Sequence, residues 1–120
     1  MKKNRFTRLG LMATTMAAVA VGVVASPASA ASTSCSSGGS LSCTSATIPA
    51  NGGHQVCFGG QHSALSYWGR AELWDADTGV MVGSIATNAW RWQQTCTGGL
   101  YGQRYYLRGT GANFNGEAWN

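Results

Sequence analysis

The stretch "NAWRWQQTCTGGLYGQRYYLRG", residues 88–109, holds two Trp, three Tyr and three Arg, and no acidic residue. Read as strands, its alternate residues face opposite sides. In "AWRWQQTC" (89–96), Trp90, Trp92 and Cys96 share one face, with Arg91, Gln93 and Thr95 on the other. In "QRYYLRG" (103–109), Tyr105 and Leu107 share a face, with Arg104, Tyr106 and Arg108 on the other. The intervening "TGGLYG" reads as a hairpin turn, which sets Trp92 opposite Leu107 and Arg91 opposite Arg108. The expected core is then Trp90, Trp92, Tyr105 and Leu107, stapled by Cys96. Arg91, Arg104, Tyr106 and Arg108 are expected outside. Like charges opposed across strands repel, so a compensating group is expected. It is either Glu72 or Glu117 on a neighbouring strand, or an acidic group on a partner.

The pattern continues on both sides of this stretch. "HQVCF" (54–58), "SALSYWGRAELW" (63–74), "VMVGSIA" (80–86) and "NFNGEAWN" (113–120) are short strand signals bounded by turn residues. Gly69 reads as a bulge within the second of these, and "DADTG" (75–79) as a hairpin loop. No window shows a sustained helical stripe, and the 17 Gly recur too often for one. The expected fold class is all-β: a small antiparallel sandwich or barrel stapled by two disulfides. Trp68 and Trp74 share the parity of Arg70 and Glu72, unless the Gly69 bulge shifts the register, and one of the two is expected to be exposed, with Trp74 taken as the candidate contact residue. Trp119 is ambiguous between an outer cap and a contact residue.

Three segments are expected. In residues 1–30, Lys2, Lys3, Arg5 and Arg8 precede an apolar run over 11–24 and the small-residue triplet Ala28-Ser29-Ala30. This is the pattern of a cleaved secretory signal peptide. Residues 31–53 are rich in Ser, Thr, Ala and Gly. They read as an irregular, disulfide-pinned arm with one short strand at 44–48. Residues 54–120 read as the β domain. Of the 8 Lys+Arg, only Arg70, Arg91, Arg104 and Arg108 lie beyond residue 30, against the 4 acids Glu72, Asp75, Asp77 and Glu117. That part is neutral and lacks the basic excess that phosphate-tracking proteins need, so nucleic acid is excluded as a partner. No membrane span is expected in the mature chain.

A core of this size is marginal, and Cys35, Cys43, Cys57 and Cys96 address it. Four Cys allow three connectivities. The favoured pairs are Cys35–Cys43, which closes an otherwise unstapled Ser/Gly loop, and Cys57–Cys96. Loop entropy assigns them roughly 2.6 and roughly 4 kcal/mol. There is no C-x-x-C and no His pair at ligand spacing, so neither a metal site nor a cofactor is expected. No catalytic motif is present either, and no catalytic residue is assigned.

Trp90-Arg91-Trp92 resembles the Trp-Arg-Tyr triplet of the small secreted proteinaceous α-amylase inhibitors. Those are β-sandwiches of similar size with two disulfides, whose triplet sits on a turn and whose Arg enters the acidic cleft of the enzyme. The resemblance implies such a role for Arg91. The family triplet lies between the first and second Cys, whereas here it follows the third and reads as mid-strand. In general build the chain is also similar to small subunits of secreted actinobacterial toxin particles, and the Ser/Gly-rich arm suits docking into a partner. The sequence thus points to a secreted, non-enzymatic protein-binding domain, an inhibitor or an adaptor subunit. Its candidate contact residues are Arg91, Arg104, Tyr106, Arg108 and Trp74. The alternatives are a glycan- or cell-wall-binding module using exposed Trp and Tyr, and a small antibacterial toxin.

Overall fold

The computed structural model describes residues 30–64 and 68–120. The predicted signal peptide therefore lies outside the described residues except for its last position. Among the described residues eight strands form: β1 (Ser32–Ser36), β2 (Ser42–Ile48), β3 (Val56–Gln61), β4 (Arg70–Asp75), β5 (Val80–Ala86), β6 (Gln93–Thr97), β7 (Tyr105–Thr110) and β8 (Asn115–Trp119). They make two four-stranded antiparallel sheets, one ordered β1-β8-β3-β6 and the other β2-β7-β4-β5. The all-β class expected from the sequence is the fold of the protein, and of the sandwich and the barrel it is the two-sheet sandwich that forms.

The sheets meet through their period-two faces. In β7, Tyr105, Leu107 and Gly109 are buried while Arg108 is exposed. Phe58, Val56 and Ala118 of the first sheet pack with Ala71, Leu73, Leu107 and Tyr105 of the second. Phe114, just before β8, completes this core with none of its surface exposed. Glycines make room for its ring. A Cβ at Gly109 would lie 1.9 Å from Phe114 Cε1, one at Gly116 2.5 Å from it, and one at Gly60 2.6 Å from Cζ. The Phe114 backbone is fixed as well: its N–H donates to Ser37 Oγ at 2.8 Å, and its carbonyl accepts from the Ser37 N–H at 2.9 Å.

Both disulfides have the favoured connectivity, Cys35–Cys43 and Cys57–Cys96. The first joins β1 to β2 and so ties one sheet to the other. The second joins register partners on neighbouring strands of one sheet. Two disulfides are compatible with an extracellular protein. Among the described residues no helix is long and apolar enough to cross a membrane.

Three expectations change. First, "TGGLYG" is not a hairpin turn. β6 pairs with β3, and β7 pairs with β2 and β4 in the other sheet. The segment is a crossover between sheets, plugged by buried Leu100, whose N–H donates to His54 O at 2.9 Å. Trp92 is therefore not opposite Leu107, nor Arg91 opposite Arg108. Second, residues 31–53 are not an irregular arm: β1 and β2 are outer strands, one in each sheet. Ser and Thr suffice there because each strand buries only one face. Third, Gly69 lies before β4 rather than bulging within a strand. It is buried where a Cβ would lie 2.6 Å from both His62 Nδ1 and Thr87 Oγ1. The register breaks occur instead between Leu73 and Trp74 and between Thr44 and Thr47.

Candidate functional site

The outer face of the second sheet carries three of the five predicted contact residues. Arg108 and Glu72 are register partners, as are Tyr106 and Trp74. The Trp74 and Tyr106 rings run nearly parallel, at 9° with centroids 6.5 Å apart. Of the two candidate compensating carboxylates, Glu72 is the one that serves Arg108, while Arg91 is no longer opposite it. Glu72 lies 3.8 Å from Arg108, 3.7 Å from Arg70, and accepts a hydrogen bond from Trp74 Nε1 at 3.0 Å. Glu117 is on the opposite sheet and takes no part. This face is internally compensated. Changing Glu72→Gln leaves two arginines without their shared carboxylate. It is expected to lower stability by about 1 kcal/mol, with the loss shrinking in about 1 M salt. Thermal melts at two ionic strengths check this.

Arg104 lies apart, where the 98–104 crossover meets the β4–β5 hairpin. It pairs with Asp77 at 2.6 Å. That hydrogen bond and charge raise the guanidinium pKa further above its ordinary value. Asp75 shapes the same hairpin by accepting from the Asp77 N–H at 2.9 Å and the Thr78 N–H at 3.3 Å.

Arg91 differs from the other three. It sits on a turn over residues 88–92, not in a strand. The turn closes through the Arg91 N–H to Asn88 O at 3.5 Å, with Trp90 in the left-handed region at φ 59. Its base is anchored to His62, whose N–H donates to Asn88 O at 3.3 Å and whose carbonyl accepts from the Trp90 N–H at 2.8 Å. His62 is itself buried and meets Thr87 Oγ1 at 2.7 Å. On this fixed base, Trp90 is 69% exposed and Trp92 40% exposed, which corrects the expectation that both are core. A strand's parity does not extend into a turn. Arg91 is exposed between them. It has no carboxylate partner among the described residues, whereas Arg70, Arg104 and Arg108 each have one.

A turn with φ above zero at its third residue ordinarily calls for Gly or Asn. A bulky residue there carries backbone strain, and such strain tends to gather at functional sites. The predicted residues thus separate into three places: Trp74, Tyr106 and Arg108 on the second sheet, Arg104 on a hairpin end, and Arg91 on the turn. Trp90 and Trp92, which strand parity assigns to the core, stand exposed on the turn beside Arg91. The signal that could have found them is Thr87-Asn88, a turn-forming pair just before the triplet. Comparison with known proteins yields no match to a family model, a curated protein or a solved structure.

Proposed function

We propose that this is a secreted, non-enzymatic protein-binding domain that engages an acidic site on an extracellular protein through the Trp90-Arg91-Trp92 turn. Where that site is the cleft of an enzyme, the domain acts as an inhibitor; where it is a structural surface, as an adaptor subunit. One observation carries the reading: an arginine with no carboxylate partner among the described residues, held between two exposed tryptophans on an anchored, strained turn. Trp and Arg are the residue types that dominate binding hot spots. An arginine with no internal carboxylate loses no partner when it binds one. The anchoring to His62 holds the turn in place before binding, which reduces the ordering cost.

The test uses the protein immobilised against the culture supernatant of its source, with each retained protein then purified and titrated. Arg91→Ala is expected to weaken binding by about tenfold or more, and Trp90→Gly likewise, while Arg108→Ala changes it by less than about threefold. A partner bound equally well by wild type, Arg91→Ala and Trp90→Gly would overturn the assignment. The strain argument has its own check. Because Trp90 is largely exposed and left-handed, Trp90→Gly is expected to keep the thermal midpoint at or above that of wild type.

A further inference from the structure

The outer face of the first sheet holds a groove of about 560 Å³ that the turn only borders. Its lining brings together Trp92 on one side and Ser34, Ser36, Asn115 and Glu117 on the other. Strand β3 lies between them. The row across the sheet runs Gln94, Gly59, Glu117, Ser34 by register. Gly59 contributes no side chain to this row, and no larger residue fits: a Cβ there would lie 2.3 Å from Gln93 O and 2.7 Å from Gln94 Cβ. A trough therefore runs between the indole and the polar strands.

We propose that this groove is a saccharide-binding site, taking one or two neutral pyranose rings against Trp92. Trp92 Nε1 donates to Gln94 Oε1 at 2.8 Å, so what the indole offers a ligand is its ring face. A pyranose has an apolar C–H face to lie on such a ring and hydroxyls around its rim. The rim meets a carboxylate, an amide and two hydroxyls. Glu117 is exposed and carries no ion pair among the described residues. Its carboxylate is free to accept from sugar hydroxyls. The Ser36 hydroxyl donates to Asn115 Oδ1, which leaves the Asn115 amide N–H groups to donate outward. The volume lies within the ordinary range of small-ligand clefts, as does the mix of one aromatic wall with a few convergent polar groups. An ammonium group would use Trp92 and Glu117, but it would leave Asn115 and Ser34 without a role. The groove shares Trp92 with the turn, but its polar groups Ser34, Asn115 and Glu117 stand on β1 and β8, across β3 from the turn, and Arg91 does not line it.

The experiment is a titration of the isotope-labelled protein, both disulfides intact, with cellobiose, with N,N′-diacetylchitobiose, and with lysine methyl ester. Saturable shifts of the Trp92 indole N–H and of the residue 115–117 amides with at least one sugar are expected. Glu117→Gln and Asn115→Ala should each weaken that binding by about fivefold, and Trp92→Ala by about tenfold. Arg91→Ala should leave it unchanged, so this site and the turn can fail separately. Three results would each overturn the proposal. One is no saturable shift with either sugar. Another is the same shifts from lysine methyl ester alone. The third is undiminished sugar affinity in both Glu117→Gln and Asn115→Ala, whose exposed positions keep the fold out of the comparison.

Discussion

Phe114→Ala is expected to destabilise the protein by about 3–5 kcal/mol, the range for emptying a buried aromatic site. The upper part of that range applies because the cavity cannot close. The ring is enclosed by backbone at Gly60, Gly109 and Gly116, from both sheets, and ladder-paired strands cannot move inward without breaking register. The opposite change fails for the same reason. Gly109→Ala would place a Cβ 1.9 Å from the ring, so either Phe114 leaves its slot or the sheets part. A domain of this size has about 5–15 kcal/mol in total, so either variant loses a large share of its stability. Urea unfolding checks this: the midpoint should fall with the slope unchanged. A loss below about 1.5 kcal/mol in Phe114→Ala would show that the sandwich closes over the gap and that the glycine slot is not rigid.

The sheet faces were legible where strands are regular, and the pairing was not. Tyr105, Leu107 and Arg108 lie where parity puts them, because β7 is central in its sheet and its alternation is not interrupted. Trp74 and Tyr106 fall on one outer face for the same reason. For β6, chain proximity favours a hairpin with β7, and Gly98 and Gly99 supply turn chemistry for one. What decides the matter is Leu100, which sits at 5% exposure between the sheet ends, and a local pattern does not show that an apolar residue in a loop is a plug. The arm hides its strands for a complementary reason. Ser and Thr in β1 and β2 resemble a linker by composition, yet an outer strand with one covered face needs few large side chains. The site was half legible. Arg91 stands out from the triplet, but the inward default for hydrophobic residues puts the tryptophans beside it in the core. Exposed large aromatics are the departures from that default that carry information. Only the turn geometry exposes them.

Loss of the Cys57–Cys96 bridge is expected to be the other severe change. The two residues are 39 apart in sequence. Releasing a loop of that length returns about 4 kcal/mol of chain entropy to the unfolded state, against about 2.6 kcal/mol for the loop closed by Cys35–Cys43. The bridge also holds β6, an outer strand whose only ladder partner among the described residues is β3. β6 carries Trp92 and the turn at its leading end, so opening the bridge acts on both binding regions at once. Exposure sets the order in which the bridges yield. Cys96 is exposed on the outer face of its sheet, whereas Cys35 and Cys43 are half-buried between the sheets. Mild reductant is therefore expected to open Cys57–Cys96 first, which alkylation and peptide mapping would read directly. The double variant Cys57→Ala, Cys96→Ala should unfold at a midpoint lower by about 15 °C or more, with Cys35→Ala, Cys43→Ala less affected. The opposite ranking would mean that the staple between the sheets, rather than the long loop within one, governs the stability of the sandwich.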